Sequence, residues 1–397
     1  MKLFRYAAIT AICLSSLFVA AQESDDAPPI VVGYFPGWGI RNQFFVKNLI
    51  SQGAADTLDQ INYASAHVVN NECVIGNPNN DLNYTFSAED SVDGTADTPD
   101  QPLHGNFHQL QELKRQHPEI KILISLEGDA KPFVDAAQPA NRASFVASCI
   151  QRFIKGKFAD GITAPGIFDG IDIDWEYPRE ADRFNFIALL GEFRRQLNAA
   201  GSHLLLTVAM GDNRATYRHL DMEAVALYVD EVGVMNYDYT GPWSKHTGLL
   251  APLYSSPGDT ERAGDVDSTI RGYREMGVPE SKILMGIPFY AYSWSEVSQD
   301  NRGLFQVGEP SRVDRPYNYI ASIEDKFTEY RDPNSQAPWL FDGKTFWTYD
   351  DDKSISAKLK YAKEQHLGGV MIWELSGDTD DGQLLGTISD ELKNDDE

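Results

Sequence analysis

The residues best suited to chemistry lie in one short stretch, which reads FDGIDIDWEYP from Phe168 to Pro178. Four carboxylates fall within it: Asp169, Asp172, Asp174 and Glu176. From residue 171 onward apolar and acidic residues alternate, which is typical of a β-strand. Side chains two residues apart share a strand face at a spacing of roughly 6 to 7 Å. Asp172, Asp174 and Glu176 are therefore predicted to point the same way, with Asp169 at the strand's start.

Carboxylates this close cannot all be ionised at low cost in a partly buried site. At least one carboxyl pKa is therefore expected to rise, and protons are expected to be shared within the group. A carboxylic acid that stays protonated near neutral pH can protonate the leaving oxygen of a glycosidic bond. A solvated acidic face is the alternative interpretation, but it offers no structural reason for lining up like charges between Ile171, Ile173 and Trp175.

This stretch resembles the DxxDxDxE signature of glycoside hydrolase family 18, the chitinases, with all four acids at the family spacing. The resemblance implies that Glu176 donates a proton to the leaving oxygen and that Asp174 orients the acetamido group of the substrate. It also implies that Asp172 exchanges a proton with Asp174, and it gives Asp169 a structural role. Members of this family retain the anomeric configuration without a protein nucleophile, because the acetamido carbonyl attacks its own anomeric carbon.

A second segment, MNYDYTG from residue 235 to 241, matches the family's MxYD segment. By this resemblance, Tyr237 hydrogen-bonds the acetamido group and Asp238 contacts the sugar or the acid. Met235 would line the floor of the pocket. The segment could also be an ordinary strand end with a core tyrosine, but its occurrence together with the acidic strand favours the functional interpretation.

A third segment, GGVMIWELSGD from residue 368 to 378, matches the last strand of the family. Trp373 would then form the hydrophobic floor under the cleaved sugar, because aromatic rings offer a large apolar surface at low entropic cost. Other aromatic residues are candidates for flanking subsites, although some of them could serve packing alone: Tyr34, Trp38, Trp243, Tyr290 and Trp294.

The chain departs from the family pattern at two places. The third predicted strand ends Ser125-Leu126-Glu127-Gly128 where the family usually has SxGG, which puts an extra carboxylate near the acids. Whether Glu127 binds substrate, shifts a neighbouring pKa or is a tolerated surface change stays open. The seventh strand continues into Ala291-Tyr292 where many relatives have Gly-Arg, so a customary arginine contact to the substrate is absent.

Eight short apolar strands that alternate with helices predict a (β/α)8 TIM barrel, whose chemistry lies at the C-terminal ends of the strands. Besides the acidic stretch, strands are predicted at residues 30–34, 61–66, 121–126, 203–209, 231–237, 283–288 and 369–373. Helices are predicted at residues 107–116, 145–158, 182–199, 220–229 and 354–365. Residues 70–101 are predicted to form a long loop. The aromatic- and proline-rich segment 292–346 resembles the small α+β insertion that many family members carry between strand seven and the last helix–strand unit.

The two ends of the chain and its net charge indicate where the protein acts and which partners it is unlikely to bind. Residues 1–21 combine Lys2 and Arg5 with an apolar run and a small-residue cleavage site, so they predict a secretory signal peptide and a secreted protein. The catalytic barrel is predicted at residues 29–388 and an acidic, solvated tail at 389–397. The net charge of −25 falls to −27 without the two signal-peptide cations, which argues against nucleic acid or membrane partners.

The cysteines, the histidines and the acids of the loop are candidates for a disulfide or a metal site. Cys73 and Cys149 could form one bridge or stay free, and the sequence favours neither. The eight histidines form no ligand pair, and the acids of residues 70–101 do not match a calcium-loop spacing. No metal or other cofactor is therefore expected.

The function implied by the resemblance is that of a secreted, monomeric chitinase acting on chitin and N-acetylglucosamine oligosaccharides. An endo-β-N-acetylglucosaminidase that acts on other acetylated glycans would share the acidic strand and the mechanism. A chitinase-like lectin would keep the fold and lose the reaction. Such lectins usually replace the terminal acid of the motif, whereas Glu176 is intact here.

Overall fold

The structure, a computed structural model, describes residues 28–393 of the chain. Eight parallel strands form a barrel within this range: β1 (Ile30–Pro36), β2 (Gln60–Val69), β3 (Lys121–Asp129), β4 (Gly170–Glu176), β5 (Leu205–Met210), β6 (Glu231–Val234), β7 (Ile283–Pro288) and β8 (Gly369–Trp373). Each strand pairs with its sequence neighbours, and β1 pairs with both β2 and β8, so the barrel is closed. This confirms the predicted (β/α)8 fold.

Helices occupy the connections between the strands. The longer ones are Gly105–Gln116, Ala130–Ala136, Arg142–Cys149, Arg183–Ala200, Val266–Glu275, Asp352–Glu364 and Gln383–Lys393. Shorter ones are Asn48–Ser51, Arg214–Tyr217, Met222–Ala226 and Tyr317–Ala321, with π-turns at Asn79–Asn83 and Ile150–Ile154. Turns of 3-10 helix lie at Gly39–Asn42, Ala54–Asp56, Glu180–Asp182, Glu280–Lys282, Asp300–Gly303, Glu324–Lys326 and Leu375–Gly377. The predicted signal peptide and the last four residues of the predicted tail lie outside the described residues.

The apolar residues of β4 face away from the barrel axis and pack under the helices. Ile171, Ile173 and Trp175 are all buried in the main core. The Trp175 ring stacks on Phe133 at 5.3 Å between centroids and meets the edge of Phe186 at 5.6 Å. The alternate residues of the strand, which are acidic, must therefore face the inside of the barrel.

Several predicted elements differ from the structure. The helix predicted to reach residue 158 ends at Ile154, because Gly156 adopts a left-handed φ of 63° that cannot continue a helix. Residues 157–159 then form a short strand that pairs with Ile162–Thr163. The predicted loop 70–101 contains a strand, Glu72–Ile75, that pairs antiparallel with the end of β2.

The sequence prediction also failed at three elements near β6. The strand ends at Val234 rather than at residue 237. The helix Val266–Glu275 was not predicted, although Asp265 caps it by accepting a hydrogen bond from the Ser268 backbone at 2.7 Å. The helix predicted at 220–229 is shorter, Met222–Ala226.

The two cysteines left open by the sequence are paired. Cys73, on the extra strand beside β2, forms a disulfide with Cys149 at the end of the helix Arg142–Cys149. Their Cα atoms are 5.0 Å apart, and both residues are fully buried. The bridge joins two outer connections of the barrel.

An antiparallel sheet lies between β7 and the helix Asp352–Glu364. Its strands are Tyr290–Ser295, Glu309–Pro310, Arg315–Pro316, Thr328–Arg331, Pro338–Phe341 and Phe346–Thr348. Together with the helix Tyr317–Ala321, this sheet forms an α+β insertion with an apolar core of its own. Because its first strand follows β7 almost directly, Tyr290 and Tyr292 are held at the C-terminal end of the barrel.

A buried ion pair connects the end of this insertion to the barrel. Lys358 and Asp350 form the pair with side chains 1% and 0% exposed, and Ser354 also donates to Asp350 at 2.8 Å. Burial lowers the pKa of Lys358 and raises that of Asp350, while their mutual attraction opposes both shifts. Either charge would be costly without the other.

We expect Lys358→Met to destabilise the protein by about 3 to 5 kcal/mol, because it leaves the Asp350 carboxylate buried and unpaired. Lys360→Met is the matched control on the same helix, where the pair with Glu364 is 76% and 56% exposed. That change should cost less than about 0.5 kcal/mol. Urea unfolding measures both, and equal losses in the two variants would contradict the assignment.

Candidate active site

The three alternating acids of β4 form a row that leads from the interior of the barrel to its mouth. Asp172 is 1% exposed and Asp174 is 5% exposed, while Glu176 at the end of the strand is exposed to solvent. The strand is fixed between β3 and β5, which place Ser125 and Thr207 level with Asp172. The predicted common face is therefore present.

Asp172 accepts hydrogen bonds from hydroxyl groups on three other strands. Tyr34 of β1 donates at 2.9 Å, Ser125 of β3 at 2.8 Å and Thr207 of β5 at 2.6 Å. Burial raises the pKa of Asp172, and these three donors oppose the rise because they favour the ionised form. The sequence prediction missed the contribution of Thr207, which belongs to an otherwise apolar strand.

Asp174 has the most strongly perturbed environment of the row. Burial raises its pKa well above the usual range, and repulsion from Glu176, Asp172 and Glu127 raises it further. Its buried Oδ1 atom has no hydrogen-bond partner within residues 28–393. Asp174 therefore holds its proton to higher pH than an ordinary carboxyl, in the direction expected for crowded acids.

Asp169 lies away from the other three acids, at the N-terminal start of β4. Its carboxylate forms an ion pair with Lys114 and accepts a hydrogen bond from the Ile122 backbone at 2.9 Å. Leu205 of the next strand donates to its backbone carbonyl at 2.9 Å. These contacts join β3, β4 and β5 below the cleft, a location that fits the structural role implied for Asp169.

Tyr237 follows β6 and is buried beside the acids. Burial raises its pKa well above the usual range, and the charge of Asp174 contributes next, so its hydroxyl is a neutral donor. Gly286 of β7 makes room for this turn. A Cβ there would lie 2.5 Å from the Val234 carbonyl oxygen and 3.0 Å from the Tyr237 ring.

Asp238 is held in an unusual backbone conformation at the same turn. Its φ is 63°, in the left-handed region that few residues other than glycine adopt. Tyr290 donates a hydrogen bond to its Oδ1 at 2.6 Å. Burial raises the pKa of Asp238, and the hydroxyls of Tyr290 and Tyr292 oppose that rise.

Trp373, at the end of β8, forms an aromatic floor with two residues from the first strand and its loop. Its ring lies 5.4 Å from that of Tyr34 and 6.3 Å from that of Trp38. Trp243 is largely exposed, with its ring 5.9 Å from Tyr292. Trp294 was wrongly proposed as a subsite residue, because it is 0% exposed and packs in the core of the insertion.

These groups line one cleft at the C-terminal end of the barrel. The predicted residues in its lining are Tyr34, Glu127, Asp174, Glu176, Met235, Tyr237, Asp238, Tyr290, Tyr292 and Trp373. Residues that the sequence analysis did not single out are Tyr177, Ala209, Asp212, Asp314 and Met371. Asp212 follows β5 by two residues, so its position at a strand end was a usable signal. Asp314 lies in the insertion and carried no such signal.

A cleft with these acids in this order is the arrangement of a known enzyme family. The profile described as "Glycosyl hydrolases family 18" matches residues 30–378. The chain belongs to this family. A curated member, "Chitinase C" from Streptomyces lividans, is 34% identical over 375 residues, which cover 89% of this chain and 58% of that protein. This chain therefore spans less than two thirds of the length of that relative.

Solved structures agree with this membership. The catalytic domain of psychrophilic chitinase B from Arthrobacter TAD20 is 32% identical with a TM-score of 0.86, over 92% of this chain and 96% of that chain. A family 18 N-acetylglucosaminidase from Paenibacillus barengoltzii is 30% identical with a TM-score of 0.74, over 91% and 99%.

Both places where the sequence differs from the family 18 pattern, at Glu127 and at Ala291-Tyr292, lie at the cleft. Glu127 is the register partner of Asp174 on β3 and lines the same cavity. Tyr292 also lines it, and its hydroxyl hydrogen-bonds Asp238. In the described range no cluster of His, Cys, Asp and Glu is arranged to hold a metal ion. The helices of that range include none long and apolar enough to cross a membrane.

We expect Asp174→Asn to raise the melting temperature relative to wild type by an amount that grows as the pH rises above about 4. The pKa of Asp174 in the folded protein lies above its unfolded value of about 3.9. As the pH rises, the unfolded chain therefore loses this proton first, and the wild type loses stability. Asparagine does not titrate and avoids that loss. Thermal unfolding across this pH range measures the difference.

Asp169→Asn is the control for this experiment, since it removes the ion pair with Lys114 and should lower the melting temperature. A difference between Asp174→Asn and wild type that stays constant with pH would contradict a raised pKa at Asp174.

Proposed function

We propose that this protein is a secreted chitinase that hydrolyses β-1,4 links between N-acetylglucosamine units with retention, through a substrate-assisted mechanism. The observation that carries the proposal is the row of Asp172, Asp174 and Glu176 on one face of β4, opening onto a cleft with Trp373 as its floor. Relatives named chitinases, with identities above 30% over most of this chain, support the same substrate.

Glu176 is the proton donor in this scheme. It is the most exposed acid of the row and lines the cleft, so it can reach the glycosidic oxygen of a bound chain. Protonation of that oxygen breaks the bond to the leaving sugar, while the acetamido oxygen of the retained sugar bonds to the anomeric carbon. A water molecule then attacks the anomeric carbon and breaks its new bond to the acetamido oxygen. The carboxylate of Glu176 takes the proton from this water.

Asp174 and Tyr237 hold the acetamido group during these steps. The buried Oδ1 of Asp174 can accept a hydrogen bond from the acetamido nitrogen. As positive charge develops there, the proton on Asp174 can move to Asp172, which leaves a negative charge beside the intermediate. The neutral hydroxyl of Tyr237 can donate to the acetamido oxygen and aim it at the anomeric carbon.

A groove longer than one sugar favours action on chains. A second cavity adjoins the cleft and shares Tyr290, Asp314 and Trp373 with it. The binding surface thus continues past the aromatic floor, as a polymer or a long oligosaccharide requires. Release of single N-acetylglucosamine units is the alternative activity, because one structural relative is named an N-acetylglucosaminidase. The product profile from long oligosaccharides distinguishes this activity from cleavage within chains.

Secretion is part of the proposal. The disulfide between Cys73 and Cys149 supports it, because such bridges persist in oxidising compartments outside the cytosol. The predicted cleavage site near residue 21 lies outside the described residues. N-terminal sequencing of protein recovered from the growth medium tests this, and an intact N-terminus there would contradict removal of a signal peptide.

We expect Glu176→Gln to reduce hydrolysis of N-acetylglucosamine oligosaccharides by at least about 100-fold, since positioned proton transfer typically supplies about 10² to 10⁴ in rate. Oligosaccharide binding and thermal stability should change little, because the substitution removes a proton donor and almost no volume. Single-turnover rates and calorimetric binding measure the two effects.

Glu180→Gln is the matched control, because Glu180 is also exposed but lies beyond the end of β4 in a 3-10 turn outside the cleft. It should hydrolyse oligosaccharides at the wild-type rate. Turnover by Glu176→Gln above about a hundredth of the wild-type value would reject Glu176 as the acid.

A further inference from the structure

Apart from Asp174 and Glu176, which take part in the proposed reaction, seven carboxylates line the cleft or its continuation. They are Glu127, Asp212, Asp238, Asp314, Glu374, Asp378 and Asp380. The described residues that line these two cavities include no Lys, Arg or His. The place where many relatives have an arginine holds Tyr292. Every formal charge that the described lining presents to a bound sugar chain is therefore negative.

These acids repel one another and the acids of the mechanism. Glu127 raises the pKa of Asp174 and also that of Glu374. Asp314 raises the pKa of Asp238 and of Glu374. Burial is the main reason that the pKa of Glu374 rises to about 7. Such a cluster is costly unless something brings positive charge into it.

A second observation shows that the same cleft is built to receive a polar ligand. The Oδ1 atom of Asp174 is buried in the cleft lining and lacks a hydrogen-bond partner in the described part of the chain. Buried polar atoms of this kind are normally satisfied. Glu127 lies beside it, in register on the neighbouring strand. The extra acids thus surround a binding site rather than an unrelated surface.

N-acetylglucosamine is neutral, so the negative charge of the cleft adds no charge–charge attraction to the binding of fully acetylated chitin. Removal of the acetyl group leaves a primary amine, which becomes a positively charged ammonium group when it is protonated. An ammonium group forms short, charge-assisted hydrogen bonds with carboxylates. Acidic walls also concentrate cationic substrates by focusing the electric field.

We propose that the cleft selects partly deacetylated chitin, and that Glu127, with Asp314 and Glu374, binds the ammonium groups of glucosamine units adjoining the cleaved sugar. This inference rests on the proposed function. The cleaved unit itself must keep its acetyl group, because that group is the nucleophile. The adjoining units carry no such requirement, so charge can decide which sugars occupy those positions.

The test compares two substrates of equal length with one enzyme. The first is a fully acetylated N-acetylglucosamine hexamer, and the second is a set of partly deacetylated hexamers. The ratio of kcat/KM values for the two is measured for wild type, Glu127→Gln and Asp314→Asn. A partial folding defect lowers both rates and cancels in the ratio. Mass spectrometric sequencing of the products identifies the units that adjoin each cut.

Wild type should prefer the partly deacetylated hexamers, with glucosamine enriched in the units next to the cut. Each substitution should lower the ratio by about two- to fivefold, as expected for one partly screened charge pair. Added salt should lower the wild-type ratio as well. Glu364→Gln is the control, since Glu364 is exposed and lies on the helix that leads to the opposite end of β8. It should leave the ratio unchanged.

Random or depleted glucosamine beside the cut, or an unchanged ratio in both variants, would overturn this inference while leaving the chitinase proposal intact. The same holds if Glu127→Gln alters the pH profile equally on both substrates, because Glu127 would then act only on the pKa of Asp174. Failure of wild type to cut either hexamer would instead reject the proposed function.

Discussion

Repulsion among the carboxylates of β4 is the constraint on which the rest of the site depends. Three acids on one strand face inside a barrel could not all be charged, and each meets the problem differently. Asp172 accepts hydrogen bonds from hydroxyls on three strands, burial and acidic neighbours raise the pKa of Asp174, and Glu176 reaches solvent. In the proposed reaction the three acids act as proton acceptor, proton carrier and accessible general acid.

The parallel strands of the barrel all end at the same rim, so residues from several strands meet around the acids of β4. Strands β1, β3 and β5 supply the donors to Asp172, and β6 and β8 supply Tyr237 and Trp373. Gly286 leaves the space for Tyr237, and the insertion adds Tyr290 as a partner of Asp238. Departures from this shared pattern, Glu127 above all, can then change which substrate binds without changing how the bond is broken.

The alternation of apolar and acidic residues was enough to predict β4 and its two faces, because one face is buried and register is strongly specified there. Other features of the site depend on tertiary contacts and could not be predicted from the sequence. Trp294 looked like the other tryptophans, yet the packing of the insertion buries it completely. Thr207 became a partner of Asp172 only through strand pairing. The helix Val266–Glu275 follows a long irregular connection and was not predicted, although Asp265 is a typical N-cap residue at its start.

The central claim is that the acetamido group of the substrate, and no protein carboxylate, attacks the anomeric carbon. Proton NMR of the first products formed from partly deacetylated chitosan tests it most directly. The account predicts that the β-anomer appears first and that each new reducing end is N-acetylglucosamine, since a free amine has no carbonyl with which to attack. An α-anomer first, or abundant glucosamine at new reducing ends, would contradict the mechanism.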